Sequence, residues 1–444
     1  MTTRSEMISP QYDKHVQRMP PGPGVGSSLL GVVFDSYLEL SSLSDQRRVA
    51  LKQPAFTQAE LNNIDWRMDS VLDGLRVSGN AGYERLVAAL ASPAPELVFV
   101  ATVLTLENRN TQRLKQLLVL AEAEPALQTA MLDAFAWVPA SFTQQLVPHL
   151  LATSSRFCRL VGLHLYRQHQ VRADTVMEWA ITQPDAELQR IALDAVGEIG
   201  LLDLLPRCLR WVNSPDVKTS FAAARACALL GERQHSIARL VQIAQVESSC
   251  QRDALSLLAA LLPVNGAQQF FASLAKRIAD QRLLVHVAGE LGDPANIPAL
   301  LRLMQNPVLS RLAGHAFCTI TGLDLVDQNM DCPGPETLQS GPNDDAEDSQ
   351  VESDPDEALP WPDQAKLVQW WAHNSGRFKP GVRYLAGAEI TRQHCLQMLQ
   401  QGCQSQRCSA ALHLKVFDPV SPLFLLDEPV WRQQKRLAQM LAQG

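Results

Sequence analysis

The chain contains no run of the roughly 20 unbroken apolar residues that a membrane-spanning helix needs, and no such span is expected. Aromatic residues are only 6% of its 444 residues, and Ala and Leu dominate the apolar set. That balance favours helices over β-sandwiches. The nine cysteines are odd in number, scattered, and never spaced C-x-x-C. A disulfide framework is therefore disfavoured, and a reducing compartment, the cytoplasm, is expected. Residues 1–26 include basic residues but no apolar core before Leu29, so no signal peptide is expected. There is no Walker loop, no G-x-G-x-x-G and no H-E-x-x-H. Basic residues are missing from one long stretch: residues 312–365 hold no Lys or Arg but 13 Asp or Glu. The whole chain carries 39 basic and 46 acidic residues, so the remainder has 39 against 33, a net of +6. A mildly basic body thus carries one strongly acidic insert.

A periodic pattern is present. Turn signals at Pro95, Pro125, Ser155, Pro184 and Pro215 recur every 29 to 31 residues, continue less cleanly near Ser248 and Asp280, and return at Pro307. A period of this length points to a helical solenoid. Gly197-Glu198-Ile199-Gly200 recurs as Gly289-Glu290-Leu291-Gly292, 92 residues or about three periods later, and Gly231 and Gly322 share the phase of Gly200 and Gly292. Glycine suits a helix C-cap, where the chain turns left-handed. Between turn and glycine runs an amphipathic stripe, in one copy Leu188, Ile191, Ala192, Ala195, Val196 and Ile199. Second helices are predicted at 202–212, 236–246 and 297–305. Two helices per roughly 30 residues, stacked in series, are HEAT-like architecture.

The expected fold is therefore all-α: a HEAT-like α-solenoid of about eight units. Residues 1–28 are read as a flexible leader and 29–80 as an N-terminal helical cap, opened by a capping box at Thr57 and Glu60. Leu61, Ile64, Met68, Val71, Leu72 and Leu75 give that cap an apolar stripe ending at Gly79. The array spans 81–323. Residues 324–358 are read as an acidic disordered linker, too poor in apolar surface to offset the entropy of ordering. A C-terminal helical region covers 359–444.

Three stretches resemble an uncharacterised proteobacterial family of HEAT-like-repeat proteins. They are Leu72-Asp73-Gly74-Leu75-Arg76-Val77-Ser78-Gly79; Ala316-Phe317-Cys318-Thr319-Ile320-Thr321-Gly322-Leu323-Asp324-Leu325; and a third that begins Asp354-Pro355-Asp356-Glu357-Ala358-Leu359-Pro360-Trp361-Pro362 and continues through Arg377-Phe378 and Gly381-Val382-Arg383-Tyr384-Leu385 to Trp431-Arg432-Gln433-Gln434. The similarity runs from about Leu29 onward. No activity is assigned to that family, but its members are often encoded beside type VI secretion spike and effector genes. The resemblance therefore implies a secretion accessory or an effector-neutralising protein.

Candidate chemistry is sparse. His394, Cys395, Cys403, Cys408 and His413 are zinc-ligand types, but their spacing fits no knuckle or ribbon, and packing is the expected role. His164 falls on a buried stripe, as expected of a satisfied core histidine, and neither it nor His169 has a recognisable nucleophile beside it. Asp344, Asp345, Glu347 and Asp348 lack the glycine and terminal glutamate of a calcium loop. No catalytic residue, metal or cofactor is expected. Arg156, Arg159, Arg190, Lys218 and Arg225 lie on corresponding helices of consecutive units and are read either as a solvated face or as a basic face for an acidic protein partner or for the acidic linker itself. Trp370 and Trp371 are read as a second anchor or, equally, as core of the C-terminal piece. The expected function is non-enzymatic binding of another protein. The alternative is a nucleic-acid-binding HEAT-like protein, even a base-excision enzyme, for which a continuous basic groove would be required.

Overall fold

The computed structural model describes residues 39–335 except 41, and 354–442. The leader 1–28 and the central part of the acidic stretch, 336–353, lie outside the described residues. The fold is all-α: helices joined by short loops, with one two-stranded hairpin among the described residues. None of the described helices is long and apolar enough to cross a membrane.

The chain divides into two compact units. The first holds Leu61–Phe142, Glu428–Arg436 and the described residues up to Arg48. Helix Gln58–Ala89 starts at the expected capping box: the Thr57 amide donates to Glu60 Oε2 at 2.7 Å, and the Glu60 amide donates to Thr57 Oγ1 at 3.3 Å. Leu61, Ile64, Met68, Leu72 and Leu75 are buried and Val71 half-buried. At Gly79 the backbone turns to φ 57, and the helix breaks. Helix Pro95–Glu107 buries every residue from 98 to 106 and packs on Thr111–Ala123 and Gln128–Trp137.

The second unit holds Val49–Glu60, Thr143–Asp427 and the residues from Leu437. Its leading helices are Arg156–Gln168, Ala186–Ile199, Val217–Leu229, Gln251–Leu261, Gln281–Leu291 and Pro307–Thr321, and each packs on the next. Following helices, Asp174–Ile181, Leu205–Leu209, His235–Ala244, Val264–Leu274 and Ile297–Leu303, connect them. The beat in the sequence is the N-cap. Ser155, Asp185, Asp216, Asp280 and Asn306 each accept a hydrogen bond from a first-turn amide, which satisfies donors that a helix start leaves open. The leading helix Gln251–Leu261 has no side-chain cap, which is why the beat blurs near Ser248.

The C-caps extend the same rhythm beyond what glycine reveals. Left-handed residues stand at Gly79, Arg109, Gln170, Gly200, Gly231, Gly292 and Gly322. Where the rhythm skips, near 139 and 263, a proline follows an extended residue, Val138 or Leu262, and ends the helix instead. The first glycine of the repeated motif does separate work. A Cβ on Gly197 would sit 2.7 Å from Ala226 Cα, and one on Gly289 would sit 3.1 Å from Ala316 Cα. Each lets its leading helix approach the next.

The acidic linker is more ordered at its edges than composition implied. Asp324 caps a turn by accepting from the amides of Val326 and Asp327, both at 3.0 Å. Cys332 N donates to Trp361 O at 2.9 Å. Asp354 pairs with Arg311, and Asp356, almost fully buried, takes a two-pronged bond from Arg282 at 2.6 and 2.8 Å. Residues 324–335 and 354–358 thus carry hydrogen bonds and ion pairs, where the composition of 324–358 predicts a disordered linker. Arginines on two leading helices supply the counter-charge that composition alone could not credit.

Candidate functional site

The five cations of the expected basic face do not form one. Arg156 pairs with Asp185 and Glu187, Arg190 with Asp216 at 3.4 Å, and Arg225 with Asp194 at 3.0 Å and Glu198 at 2.9 Å. Arg159 donates to Thr153 O at 2.8 Å, and Arg156 and Lys218 are exposed. The side chains that look free on a helical wheel meet carboxylates of the neighbouring unit. Three such pairs, Arg156–Glu187, Arg167–Glu198 and Arg225–Asp194, span 31 residues of sequence, one period. Arg76–Glu107 in the first unit has the same separation.

Glu198, 1% exposed, is the centre of this network. Arg167 grips both its oxygens at 2.6 and 2.9 Å while Arg225 shares one. Burial works against its charge, but the two guanidiniums outweigh burial and hold the carboxyl down at about 2. The corresponding Glu290 has no such clamp. Its Oε2 is buried without a hydrogen-bond partner, and burial pushes its carboxyl up against the weaker pull of Ser256 and Arg252.

The chain's own C-terminal part covers the ends of the leading helices. Hairpin strands Tyr384–Leu385 and Ala388–Glu389 are joined by Ala386 and Gly387, both at positive φ, as a tight hairpin turn requires. The turn amides donate to Thr319 O at 2.7 Å and Ile320 O at 3.0 Å, and Tyr384 N donates to Gly292 O at 2.7 Å. Arg383 donates to Ala260 O at 3.0 Å and also to Leu262 O. Helix Gln404–Phe417 then packs on Gln251–Leu261, and beyond it Leu423 N donates to Glu198 O at 2.7 Å. Carbonyls that helix ends leave open are thereby satisfied from within the chain. Lys415, buried, donates to Pro419 O and Ser421 O at 2.8 and 2.7 Å, and burial pushes its ammonium down to about 8.

Trp370 and Trp371 are half-buried and pack edge-on against Phe317, at 5.7 and 6.5 Å between ring centres, with Trp371 also 5.3 Å from Phe378. They pack, partly buried, against the core around helix Pro307–Thr321, in line with the core reading of the pair. Helix Gln364–Asn374 buries Leu367 and turns both rings inward, so neither projects.

One serine–histidine pair has the reach of a nucleophile and its base: His315 Nε2 lies 3.0 Å from Ser405 Oγ, with Cys403 Sγ 3.3 Å from the same oxygen. Burial pushes His315 down to about 4, which leaves it neutral. The amides around Ser405 are all engaged. Gln404 N donates to Phe56 O at 2.6 Å, Ser405 N to Pro54 O at 3.0 Å, Gln406 N to Cys403 Sγ, and Arg407 N to Cys403 O at 2.9 Å. A developing oxyanion finds no open amide donor in this turn. His164 is enclosed, yet its Nε2 has no hydrogen-bond partner, unlike the satisfied histidine expected from its phase. Burial, with Arg167 nearby, pushes it down to about 4. Of the zinc-type residues, His394 Nε2 meets Leu385 O at 2.6 Å, Cys395 and His413 are buried, and Cys403 caps a helix. No three of His, Cys, Asp or Glu come together as metal ligands among the described residues. Asp344, Asp345, Glu347 and Asp348 lie outside them.

The chain matches no protein-family model, no curated protein and no solved structure. Sequence reasoning had not picked out Glu198, Arg167, Ser405, His315 or Lys415. Glu198 was legible as the second letter of a repeated motif. Arg167, His315 and Ser405 gain their partners across 31 to 90 residues of sequence, and Lys415 finds its own in the loop just beyond its helix.

Proposed function

We propose that this chain is a non-enzymatic, protein-binding α-solenoid of HEAT-like repeats working in the cytoplasm. The observation that carries this reading is the succession of leading helices, each packed on the next at a period of about 30 residues. Repeats stacked this way present long surfaces suited to protein partners. Nine unpaired cysteines accord with a reducing compartment. The three stretches that resemble the HEAT-like-repeat family are what supports a partner in type VI secretion, an effector that the chain neutralises or escorts. Pairing of the arginines with carboxylates counts against a nucleic-acid groove, since neutralised guanidiniums release few counterions from phosphate.

Affinity capture from the native host, with mass spectrometry of the retained proteins, tests the reading. Stoichiometric recovery of one secretion effector or spike component is expected. Recovery of nucleic acid with no protein partner would sink it.

A further inference from the structure

Helix Gln58–Ala89 buries one stripe in the first unit and leaves the opposite one open. On that open side Trp66 is 69% exposed and Val77 88% exposed. They are eleven positions apart, three helical turns, and so share a face. Between them stand Ser70 and Gly74, both exposed. The Ser70 hydroxyl folds back to Trp66 O at 2.8 Å, and a Cβ on Gly74 would meet nothing within 4 Å. The face is therefore a shallow saddle: an indole at one end, an isopropyl group at the other, and small residues between. A saddle of this form admits a second helix laid across it.

The charge beside the saddle is acidic. Arg76 is held two-pronged by Glu107, at 2.9 and 2.7 Å, and shares its remaining nitrogen with Asp69 and Asp73. Asp73, with its side chain 68% exposed, lies next to Gly74 on the open side. Three carboxylates around one guanidinium leave negative potential facing solvent. Gly74 and Val77 also lie within Leu72-Asp73-Gly74-Leu75-Arg76-Val77-Ser78-Gly79, one of the stretches that carries the family resemblance, and packing inside the unit gives neither a task.

We propose that the Trp66–Gly74–Val77 face docks a basic amphipathic helix of the partner protein. This rests on the protein-binding reading and adds to it the surface and the chemistry. The partner's apolar stripe crosses Ser70 and Gly74 between Trp66 and Val77, and its lysines or arginines meet Asp73. Trp66 is the anchor, because a large aromatic desolvated in an interface carries a disproportionate share of affinity.

The test titrates the full chain with a synthetic leucine–lysine amphipathic helix and with its leucine–glutamate counterpart. The lysine peptide is expected to bind and the glutamate peptide not. Trp66→Ala should weaken binding at least about tenfold, Val77→Asp should do the same, and Val119→Ala, at another exposed apolar position of the unit, should leave it unchanged. Equal binding by wild type and Trp66→Ala, or equal binding of both peptides, would overturn the proposal. A photo-crosslinking amino acid in place of Val77 gives a second readout. A product joined to the lysine peptide supports docking; a product joined to this chain's own residues or to a second copy overturns it. In host capture, Trp66→Ala retaining the partner at wild-type yield defeats this surface but leaves the protein-binding reading standing. Failure of the wild type to retain any protein defeats both.

Discussion

Gly197-Glu198-Ile199-Gly200 and Gly289-Glu290-Leu291-Gly292 do the same backbone work and different electrostatic work. In both copies the first glycine admits the next leading helix, and the second is a left-handed cap pressed by a carbonyl, Val420 O or Tyr384 O. The glutamates diverge. Glu198 meets Arg167 and Arg225, 31 and 27 residues away, while Glu290 meets neither a clamp nor a full set of hydrogen bonds. A four-residue motif fixes its own backbone, but the fate of its side chain is set by the units on either side.

The widest gap between the copies should follow from removing each carboxylate. Glu198→Ala takes from Arg167 its two-pronged partner, leaves Arg225 with Asp194 alone, and is expected to cost about 3 kcal/mol. Glu290→Gln keeps the shape and removes a poorly solvated charge, so at pH 8 it should be neutral or stabilising by about 1 kcal/mol. Denaturant unfolding of both variants measures this directly. Equal losses would mean that Glu290 has a partner as strong as arginine.

Next in size is the helix approach. Alanine at 197 places its Cβ inside contact distance of the Ala226 backbone, whereas at 289 the gap is tighter than normal but closer to tolerable. Gly197→Ala should therefore cost about 2–3 kcal/mol and Gly289→Ala about 1 kcal/mol. Reversal of that order would show that the first interface relaxes more easily than the second.

The pH profile separates the copies further. His164, His286, His315 and His413 are each pushed down to about 4, chiefly by burial. A base with a lowered folded-state value contributes fully above its unfolded value near 6.5, and that contribution is lost as pH falls from there toward 4. Wild-type stability should drop over this window. Glu290 has the opposite sign: its raised carboxyl favours the fold when protonated, and its contribution is lost as pH climbs past the unfolded value near 4.3. The advantage of Glu290→Gln over wild type should thus vanish at acid pH and be whole at pH 8. A constant difference from pH 4 to 8 would show that Glu290 is not titrating in the interior.

Much of the architecture was legible because it is local. Helix stripes, N-caps and four glycine C-caps depend on residues within one turn of one another, and Ser155, Asp280 and Gly322 stand where the period put them. Side-chain roles that depend on the next unit were not legible. Arg190 and Arg225 read as a free face on their own helices and are neutralised by Asp216, Asp194 and Glu198. The hairpin at 384–389 was missed because Ala386-Gly387 is a weak turn signal, and its amides answer carbonyls more than 60 residues earlier. Trp66 stands off the buried stripe of its helix, so the apolar period does not mark it.

The smallest effect tests the rhythm of C-caps itself. Gly200, Gly231, Gly292 and Gly322 adopt left-handed backbone without a Cβ, whereas Arg109, at φ 52, and Gln170, at φ 50, hold the same phase at a steric cost. Gln170 has a compensation, because its side-chain amide donates to Leu423 O. Arg109 has only a distant contact with the Phe142 ring, 6.0 Å from its guanidinium. Arg109→Gly should therefore raise stability by about 0.5–1 kcal/mol, relief of strain exceeding the added freedom of the unfolded chain. Gln170→Gly should stay near zero, since the lost hydrogen bond offsets the same relief. Thermal unfolding of the two variants beside wild type decides it. If Arg109→Gly is destabilising, its side chain holds that corner more firmly than the ring contact suggests, and the non-glycine caps are then kept for contacts and not merely tolerated.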